Sequence, residues 1–459
     1  MVERTTFDGI MAARIDRLPL TRVQWQLAIL IETTWGFIIF DTDGIGARLY
    51  PFVWRPNHVI DVVQYAVIQA LQVGLGVLLG VYIMSFVADR YGRRPAILLA
   101  TLLGGICIWP FAYVTDFTWM VVLSILSTLG VGGIVATHSV YLSEMTSPEV
   151  RNRVLLTSQG VTALVAVGVN LLAFAWIPSH WQIFLWVSAA IEILVLLPLL
   201  WWKLPESPRW LEAHGRHDEA ERIMTAYEQR CQGFSNAPLP VVDARRNPVI
   251  SAVDSSWTEL FTSPLYRSRT WVLIFVWLLA YAGLIYGVGA FAAVFMVDHG
   301  GSAHFVFLTI AAAYAALFVG FLVNARLGER VERREVLFVA GLIFALAWAV
   351  AWIVPNLWVI AGCYIVSRVG TGLFLFNLYN YTAVAYPTRM RSKAFAWTDG
   401  LGHLGAWAGV TLLGPLYALG PNHLGWVLWI VVPGAVLPAL LIRFLGIRQS
   451  RAVLEQLST

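Results

Sequence analysis

Long apolar segments alternate with shorter polar segments along most of the chain. Each apolar segment has roughly 20 residues, enough for a helix to cross the ~30 Å hydrocarbon core of a bilayer. The pattern therefore predicts an all-α membrane protein with twelve transmembrane helices. These predicted spans 1 to 12 lie at about residues 24–47, 62–88, 96–114, 119–142, 154–176, 182–203, 270–297, 303–325, 335–354, 357–383, 394–417 and 424–445.

The two halves of the chain carry related polar motifs. Asp89-Arg90-Tyr91-Gly92-Arg93-Arg94 follows span 2, and Glu329-Arg330-Val331-Glu332-Arg333-Arg334 follows span 8. Pro148-Glu149-Val150-Arg151 recurs as Pro387-Thr388-Arg389-Met390-Arg391. This repeat predicts two related six-helix bundles, at residues 1–203 and 270–459, joined by a polar linker at 204–269 with some helix. Parallel repeats of this kind are typical of carriers that move a solute between their halves.

Composition and charge agree with a membrane location. The chain is 58% hydrophobic and 13% charged, whereas a soluble domain is about 25% charged. If the N-terminus is cytoplasmic, every Lys and Arg except Arg48, Arg55 and Arg368 falls on the cytoplasmic side or at its boundary. The positive-inside rule thus predicts a multi-pass plasma or inner membrane protein with both termini in the cytoplasm. That placement of charge argues against nucleic acid as a partner, although the pI is about 9.0.

The sequence offers no sign of an enzyme or of a metal site. Cys107, Cys231 and Cys363 are far apart and lack disulfide or metal-binding spacing. No Gly-x-x-x-x-Gly-Lys-Ser/Thr motif is present, so ATP is not expected to drive the protein directly. The polar start, Met1 to Arg22, does not read as a cleavable signal peptide. We therefore expect no cofactor and no metal.

Three motifs resemble the major facilitator superfamily and its sugar-porter-like branch, which also holds organic-ion and aromatic-acid carriers. They are the loop 89–94, Tyr141-Leu-Ser-Glu-Met-Thr-Ser-Pro-Glu-Val-Arg151 and Pro205-Glu-Ser-Pro-Arg-Trp-Leu211. With the repeat, the resemblance covers nearly the whole chain. It implies the major facilitator fold, in which two pseudo-symmetric six-helix bundles enclose a cavity that opens alternately to each side, and a protein that works as a monomer.

The charges of these motifs predict a cytoplasmic gate. Acids and bases alternate there, whereas topology alone requires only bases, so we expect ion pairs or hydrogen bonds to the opposite bundle. The alternative is that the arginines only fix topology and contact lipid phosphate. The predicted gate residues are Asp89, Arg90, Arg93, Arg94, Glu144, Arg151, Glu206, Arg209, Glu329, Arg330, Arg333 and Arg391.

Ionisable residues inside the spans predict the coupling site, because charge buried in lipid is costly and usually functional. Asp41 of span 1 matches the acid that resembles the proton-coupling site of sugar-porter-like symporters. Asp43 is a second candidate, although it could simply be solvated near the outer surface. In span 11, Asp399, His403 and Trp407 share one helix face. His403 could relay protons or be a hydrogen-bonded packing residue.

Arg368 is the basic residue deepest in a predicted span, about 16 Å along span 10. The resemblance would place an arginine in span 4, where Leu126 stands, so the usual acid–arginine pair of the first half is missing. Arg368 is expected to pair with Asp41 across the cavity or to bind an anionic substrate through its bidentate fork. The alternative is an ion pair inside the second half.

Aromatic and amide residues of the second half complete the predicted substrate site. Span 7 lacks the Gln-Gln pair and the Asn that the resemblance associates with sugar binding. Rings, amides and one arginine would suit a small, flat organic anion, although most aromatic residues serve core packing or interface anchoring. The predicted substrate-binding residues are Arg368, Tyr281, Tyr286, Tyr314, Asn377, Tyr379, Asn380 and Trp407.

The leading hypothesis is a proton-coupled carrier that takes up a small organic acid, with protons and that acid as its partners. The alternative within transport is a carrier of sugars, organic cations or drugs, including an exporter. A non-transporting receptor with the same fold would be expected to lose its membrane acids, and this chain keeps Asp41.

Overall fold

The computed structural model describes residues 10–42, 44–234, 238–242, 258–327, 331–386, 390–419 and 423–448. At residues 40–42, 44, 152, 156, 325, 391, 392 and 423 it describes the backbone alone. The described part of the chain is almost wholly helical and contains no β-strand, which confirms the predicted fold class.

Twelve long helices run through the described residues. They are α1 (Arg22–Thr42), α2 (Val62–Tyr91), α3 (Arg93–Ala112), α4 (Phe117–Glu144), α5 (Pro148–Trp176), α6 (Trp181–Lys203), α7 (Pro264–Asp298), α8 (Ala303–Leu327), α9 (Arg333–Ile353), α10 (Leu357–Val384), α11 (Arg391–Ala418) and α12 (Leu424–Leu445). Ten of these are long and apolar enough to cross a membrane, judged over the described residues. The other two, α1 and α11, correspond to predicted spans 1 and 11. Beyond residue 43, α1 continues as Gly44–Leu49 and Tyr50–Trp54.

Short helices lie outside the twelve long ones. Ile10–Asp16 precedes α1, and the linker contains Pro208–Ala213, His217–Gln232 and Glu259–Thr262. The periodicity of the linker predicts a helix from Arg216 to Gln232, and the structure has this helix at His217–Gln232.

Local chemistry explains where several helices begin. The Asp61 carboxylate accepts the backbone N–H of Gln64 at 2.8 Å, and the Gln64 side chain accepts the backbone N–H of Asp61 at 3.0 Å, a capping box that starts α2. The side chains of Asp116 and Asn356 likewise cap the N-termini of α4 and α10. Gly92, with φ of 118°, makes the tight turn between α2 and α3 that other residues adopt at a cost.

Three of the long helices contain a wide, π-helical turn. These turns are Gln72–Gly76 in α2, Ile191–Leu196 in α6 and Tyr281–Ile285 in α7. Such turns shift the register of the following side chains and are frequent at functional sites. Two of them, in α2 and α7, lie beside the residues described below.

Helix pairs α2–α11 and α5–α8 join the two bundles. We call the end of the molecule that carries the 89–94 turn the motif end, and the end that carries Arg55 and Asp298 the opposite end. At the opposite end, Arg55 Nη1 lies 2.6 Å from Asp298 Oδ1, and the Tyr65 hydroxyl donates to the Ala290 carbonyl. One hydrophobic core extends through both bundles from this end. A second core lies at the motif end and combines the first bundle with the short helices Ile10–Asp16, Pro208–Ala213 and His217–Gln232.

Candidate functional site

A carboxyl group, two phenols and an imidazole from three helices form what we call the Asp399 cluster: Tyr281 of α7, Tyr379 of α10, and Asp399 and His403 of α11. The Tyr281 hydroxyl donates to Asp399 Oδ1 at 2.5 Å, and the Tyr379 hydroxyl lies 3.5 Å from the same atom. The His403 ring stacks on Tyr281 with centroids 4.6 Å apart. The cluster therefore combines residues that the sequence assigned separately to proton coupling and to substrate binding.

Local structure holds this cluster in place. Tyr281 begins the wide turn of α7. Asp399 and His403 are one helical turn apart on α11. Behind the phenols, the indole of Trp277 packs edge-on against Tyr379 and donates to the Thr382 hydroxyl at 3.1 Å. The positions of both phenols are thus fixed by packing as well as by the carboxylate.

The Asp399 cluster reaches the first bundle through α2. The backbone carbonyl of Val73 accepts from the His403 ring. His403 is 3% exposed, and its Nδ1 has no hydrogen-bond partner among the described residues. One turn further, Trp407 packs on Gly74, where a Cβ atom would come 2.4 Å from the Trp407 Cβ. Trp407, predicted to bind substrate, therefore lies at the contact between bundles and is 46% exposed.

A second constellation, the Arg368 cluster, comprises Tyr314 of α8 and Tyr364 and Arg368 of α10. Arg368 is 6% exposed, its Nη2 donates to the Tyr364 hydroxyl at 2.9 Å, and its Nε has no partner among the described residues. Its guanidinium carbon lies 4.9 Å from the Tyr364 ring centroid and 5.7 Å from that of Tyr314. Gly289 of α7 gives the guanidinium room, since a Cβ there would lie 3.1 Å from Nη2.

The two clusters lie at different depths of the same helices. Arg368 precedes Tyr379 by eleven residues on α10, or roughly 16 Å along the helix axis. Tyr286 of α7 packs 5.4 Å from the Tyr281 ring, beside the Asp399 cluster. A small ligand held by Arg368 therefore does not contact Asp399 directly at this spacing.

The predicted amides differ from each other. Asn377 is 1% exposed, and its side-chain N–H groups go to the Asn324 side chain at 2.6 Å and the Leu373 carbonyl at 2.8 Å. These bonds link α8 to α10 and use both side-chain N–H donors of Asn377 within the protein. Asn380 is partly exposed on α10. Asp43 lies outside the described residues and Asp41 is described only as part of α1.

A buried acid that was not assigned a site role lies in α1. Glu32 is fully buried, its Oε2 accepts the Thr162 hydroxyl at 3.0 Å, and its Oε1 lies 3.5 Å from the Ser158 hydroxyl. Both partners belong to α5, so Glu32 links two helices of the first bundle. Tyr364, Val73 and Gly74 are the other site residues that sequence reasoning missed. Only the position of Tyr364, one helical turn before Arg368, gave a signal for it.

Several charged residues predicted to form a gate contact one another within the first bundle and the linker that follows it. Arg93 pairs with Asp89 at 2.7 Å and with Glu144 at 3.0 Å. Glu206 accepts the backbone N–H groups of Arg93 and Arg94 at 3.0 and 3.1 Å, at the start of α3. Burial raises the pKa of Glu206, although the hydrogen bonds from these backbone groups act in the other direction. We expected pairs across the bundles, and the structure instead places these bonds within the first bundle and the linker that follows it.

The remaining predicted gate residues are more dispersed. Arg209 pairs with Asp16 of the first short helix at 2.5 Å, and Arg151 donates to the Thr146 carbonyl at 3.4 Å. Arg90 lies over the Tyr91 ring, and Arg333 begins α9. Glu329 and Arg330 lie outside the described residues, and the side chain of Arg391 does too.

A cavity of about 940 Å³ lies at the opposite end. Its lining includes Tyr50, Arg55, His58, Asp298 and Tyr417, so both bundles contribute to it. The Arg55–Asp298 ion pair lies in the lining of this cavity and joins the two bundles. Within the described ranges, no group of three His, Cys, Asp or Glu side chains could hold a metal ion.

Comparison with known proteins gives the same fold and class. The chain is 28% identical to the 4-hydroxybenzoate transporter PcaK of Pseudomonas aeruginosa, over 94% of this chain and 93% of the relative. It is 25% identical to the niacin transporter NiaP of Acinetobacter baylyi, over 86% and 88%. It is also 28% identical to solute carrier family 22 member 1 of Bos taurus, but spans only 57% of the length of that protein.

Solved structures show the fold. The inward open conformation of the xylose transporter XylE from E. coli matches 94% of this chain with a TM-score of 0.70, at 15% sequence identity. The model of the family described as sugar (and other) transporter matches residues 58–397. The chain therefore belongs to the sugar (and other) transporter family, and the protein is a membrane transporter, not an enzyme.

Proposed function

We propose that this transporter is a proton-coupled symporter that takes up a small aromatic carboxylate by alternating access. Arg368 is the carboxylate partner, the Asp399 cluster and Asp41 handle the proton, and Tyr314 and Tyr364 flank the bound ring. The protein works as a monomer with both termini in the cytoplasm.

The observation that supports the substrate class is how few hydrogen bonds the buried Arg368 guanidinium makes within the described part of the protein. A guanidinium has five donors and no acceptor, and among the described residues one bond, to Tyr364, uses them. A buried cation left this way is costly unless a ligand completes it. A carboxylate fits the guanidinium fork, and the two neighbouring rings suit a flat, apolar body.

The relatives agree with this class. Two of them are named as carriers of 4-hydroxybenzoate and of niacin, both small aromatic acids. The xylose transporter, at 15% identity, bears on the fold alone.

The Asp399 cluster supports proton coupling. Its carboxylate accepts from phenols that remain neutral donors, and His403 lies one helical turn away. Asp399 and His403 together can therefore gain or lose one proton while the carboxylate keeps its hydrogen bonds. Because Tyr379 of the cluster lies about 16 Å along α10 from Arg368, proton and substrate act on each other through movement of the helices.

Uptake into proteoliposomes tests this function. Radiolabelled benzoate- or nicotinate-like acids are offered with and without an inward proton gradient, to wild type, Asp41→Asn and Asp399→Asn. We expect gradient-driven accumulation in wild type and its loss in at least Asp399→Asn. No accumulation of any acid by wild type would overturn the proposal and direct the screen to sugars, organic cations and exported drugs.

A further inference from the structure

The contact between α2 and α11 is concentrated between the start of α2 and its wide turn, and few residues of α2 beyond the turn contact α11. From the opposite end the two helices pack closely, with Gly414 against Ala66 and Trp407 on Gly74. Beyond the turn, α2 runs to Tyr91 at the motif end and packs on α3 and α4 of its own bundle. The turn is therefore the vertex at which the two bundles separate towards the motif end.

His403 occupies this vertex. Its ring faces the Val73 carbonyl, which accepts only, so the facing nitrogen carries a hydrogen. That nitrogen is Nε2, because Nδ1 has no partner among the described residues. Nδ1 is thus a buried acceptor, one helical turn from the Asp399 carboxylate.

One carboxylate and two phenols lie around His403. The titratable groups that face it are Asp399 on its own helix and Tyr281 and Tyr286 on α7. The third phenol of the region, Tyr379 of α10, is directed at Asp399. The part of α2 that faces His403 carries no charge, because the charged residues of that helix, Asp89 and Arg90, lie at the motif end.

We propose that His403 is a positioning residue that transmits proton binding from the Asp399 cluster to the contact between the bundles. When the cluster takes up one proton, Nδ1 receives it and the imidazolium donates to Asp399 and to the Val73 carbonyl together. Charge-assisted hydrogen bonds are roughly twice as strong as neutral ones. The contact between α11 and the wide turn of α2 therefore becomes stronger. When the proton leaves, a single neutral hydrogen bond to Val73 remains and the vertex loosens.

This inference rests on proton coupling in the proposed function, but its test needs no substrate. Spin labels are attached at Tyr91→Cys and Leu445→Cys, both exposed at the motif end, after Cys107, Cys231 and Cys363 are replaced by alanine. Pulsed electron paramagnetic resonance spectroscopy then measures the distribution of distances between the two spin labels at about pH 5 and at about pH 8. Histidine titrates within this range.

The variants are His403→Gln, which keeps a donor for Val73 but cannot become charged, and Asp399→Asn, which removes the counter-charge. His138→Gln is the matched control, because His138 is also buried but stacks on Trp35 within the first bundle. We expect the wild type and the control to have a narrower distribution at the lower pH. For His403→Gln and for Asp399→Asn, the distribution of distances should be the same at both pH values.

A pH response retained by His403→Gln, a response lost also in His138→Gln, or a wild type that does not respond would each overturn the inference. Failure of the proposed function remains distinguishable. If wild type accumulates no acid in proteoliposomes but the distances respond through His403, the substrate assignment fails while the inference stands.

Discussion

Two clusters of the second bundle, each with a charged side chain, share α10, but they differ in how many hydrogen bonds the protein gives that side chain. Asp399 accepts from the Tyr281 hydroxyl, lies near the Tyr379 hydroxyl and faces His403 one turn away. Arg368 donates to one hydroxyl, and its Nε has no partner among the described residues. Both side chains lie inside the helix bundle, where an uncompensated charge is costly.

The difference indicates different tasks. A carboxylate with its own donors and an imidazole one helical turn away can hold and release a proton between them, which suits a proton site. A guanidinium with open donors gains most from an anion that arrives and leaves, which suits a substrate site. The predictions below change one cluster at a time.

The largest effect is expected from Arg368→Gln. Loss of a hydrogen-bonded charge should weaken binding of an aromatic carboxylate by about 10- to 100-fold, since such bonds contribute about 1.5–3 kcal/mol. Equilibrium binding to the purified variant measures this. Arg368→Lys is the control: it keeps the charge but not the planar fork, so its affinity should be intermediate. Unchanged affinity in Arg368→Gln would remove this residue from the substrate site.

Asp399→Asn should abolish accumulation against a gradient but preserve exchange. Asparagine keeps the shape and an acceptor oxygen but cannot exchange a proton, so substrate should still equilibrate across the membrane. Counterflow and gradient-driven uptake are measured in the same proteoliposomes. Glu32→Gln is the matched control, because Glu32 is another buried acid that is bonded to hydroxyl groups of α5. Equal loss of both activities in Asp399→Asn would indicate a structural role instead.

Removing one hydroxyl from each cluster should separate affinity from coupling. Tyr364→Phe leaves Arg368 without its hydroxyl partner and should change KM for the acid by about 2- to 10-fold, the effect of one hydrogen bond. Tyr281→Phe should leave KM unchanged and alter the dependence of uptake on external pH. The measurement is uptake kinetics at several pH values. A change of KM in Tyr281→Phe alone would reverse the two assignments.

The charges at the motif end lie outside both clusters and should influence stability more than affinity. Glu206→Gln removes a charged cap from α3 and is expected to lower the free energy of unfolding by about 1 kcal/mol. Asp89→Asn should have a smaller effect, because the Asp89 side chain is 77% exposed and Arg93 keeps Glu144 as a partner. Thermal unfolding in detergent compares the two. A larger shift for Asp89→Asn would contradict the structure of this network.

The sequence was sufficient for the helices, and it singled out several residues of the candidate site, for a physical reason. Apolar length and the repeat determine the spans, and charge in a span is rare enough to mark Arg368 and Asp399 individually. The sequence did not predict that Tyr281 and Tyr379 share Asp399, because the wide turn of α7 changes which side chains face α11.

Contacts between helices were the harder part to predict. Asn377 looked like a ligand-binding amide, but it bonds to Asn324 of α8, a partner that no periodicity within α10 could identify. The bonds of Arg93 and Glu206 were expected across the bundles, and they close within the first bundle and the linker that follows it because α3 begins beside the end of α6. Val73 acts through its backbone, which leaves no mark in the residue pattern.

The most direct test of the substrate assignment compares benzoate with benzamide, which has the same ring but no charge. Binding of both to wild type and Arg368→Gln is measured by calorimetry on the purified transporter. The account predicts that wild type prefers benzoate and that the variant loses this preference because its benzoate affinity falls while benzamide binding stays the same. A preference for benzoate that survives in Arg368→Gln would contradict the account.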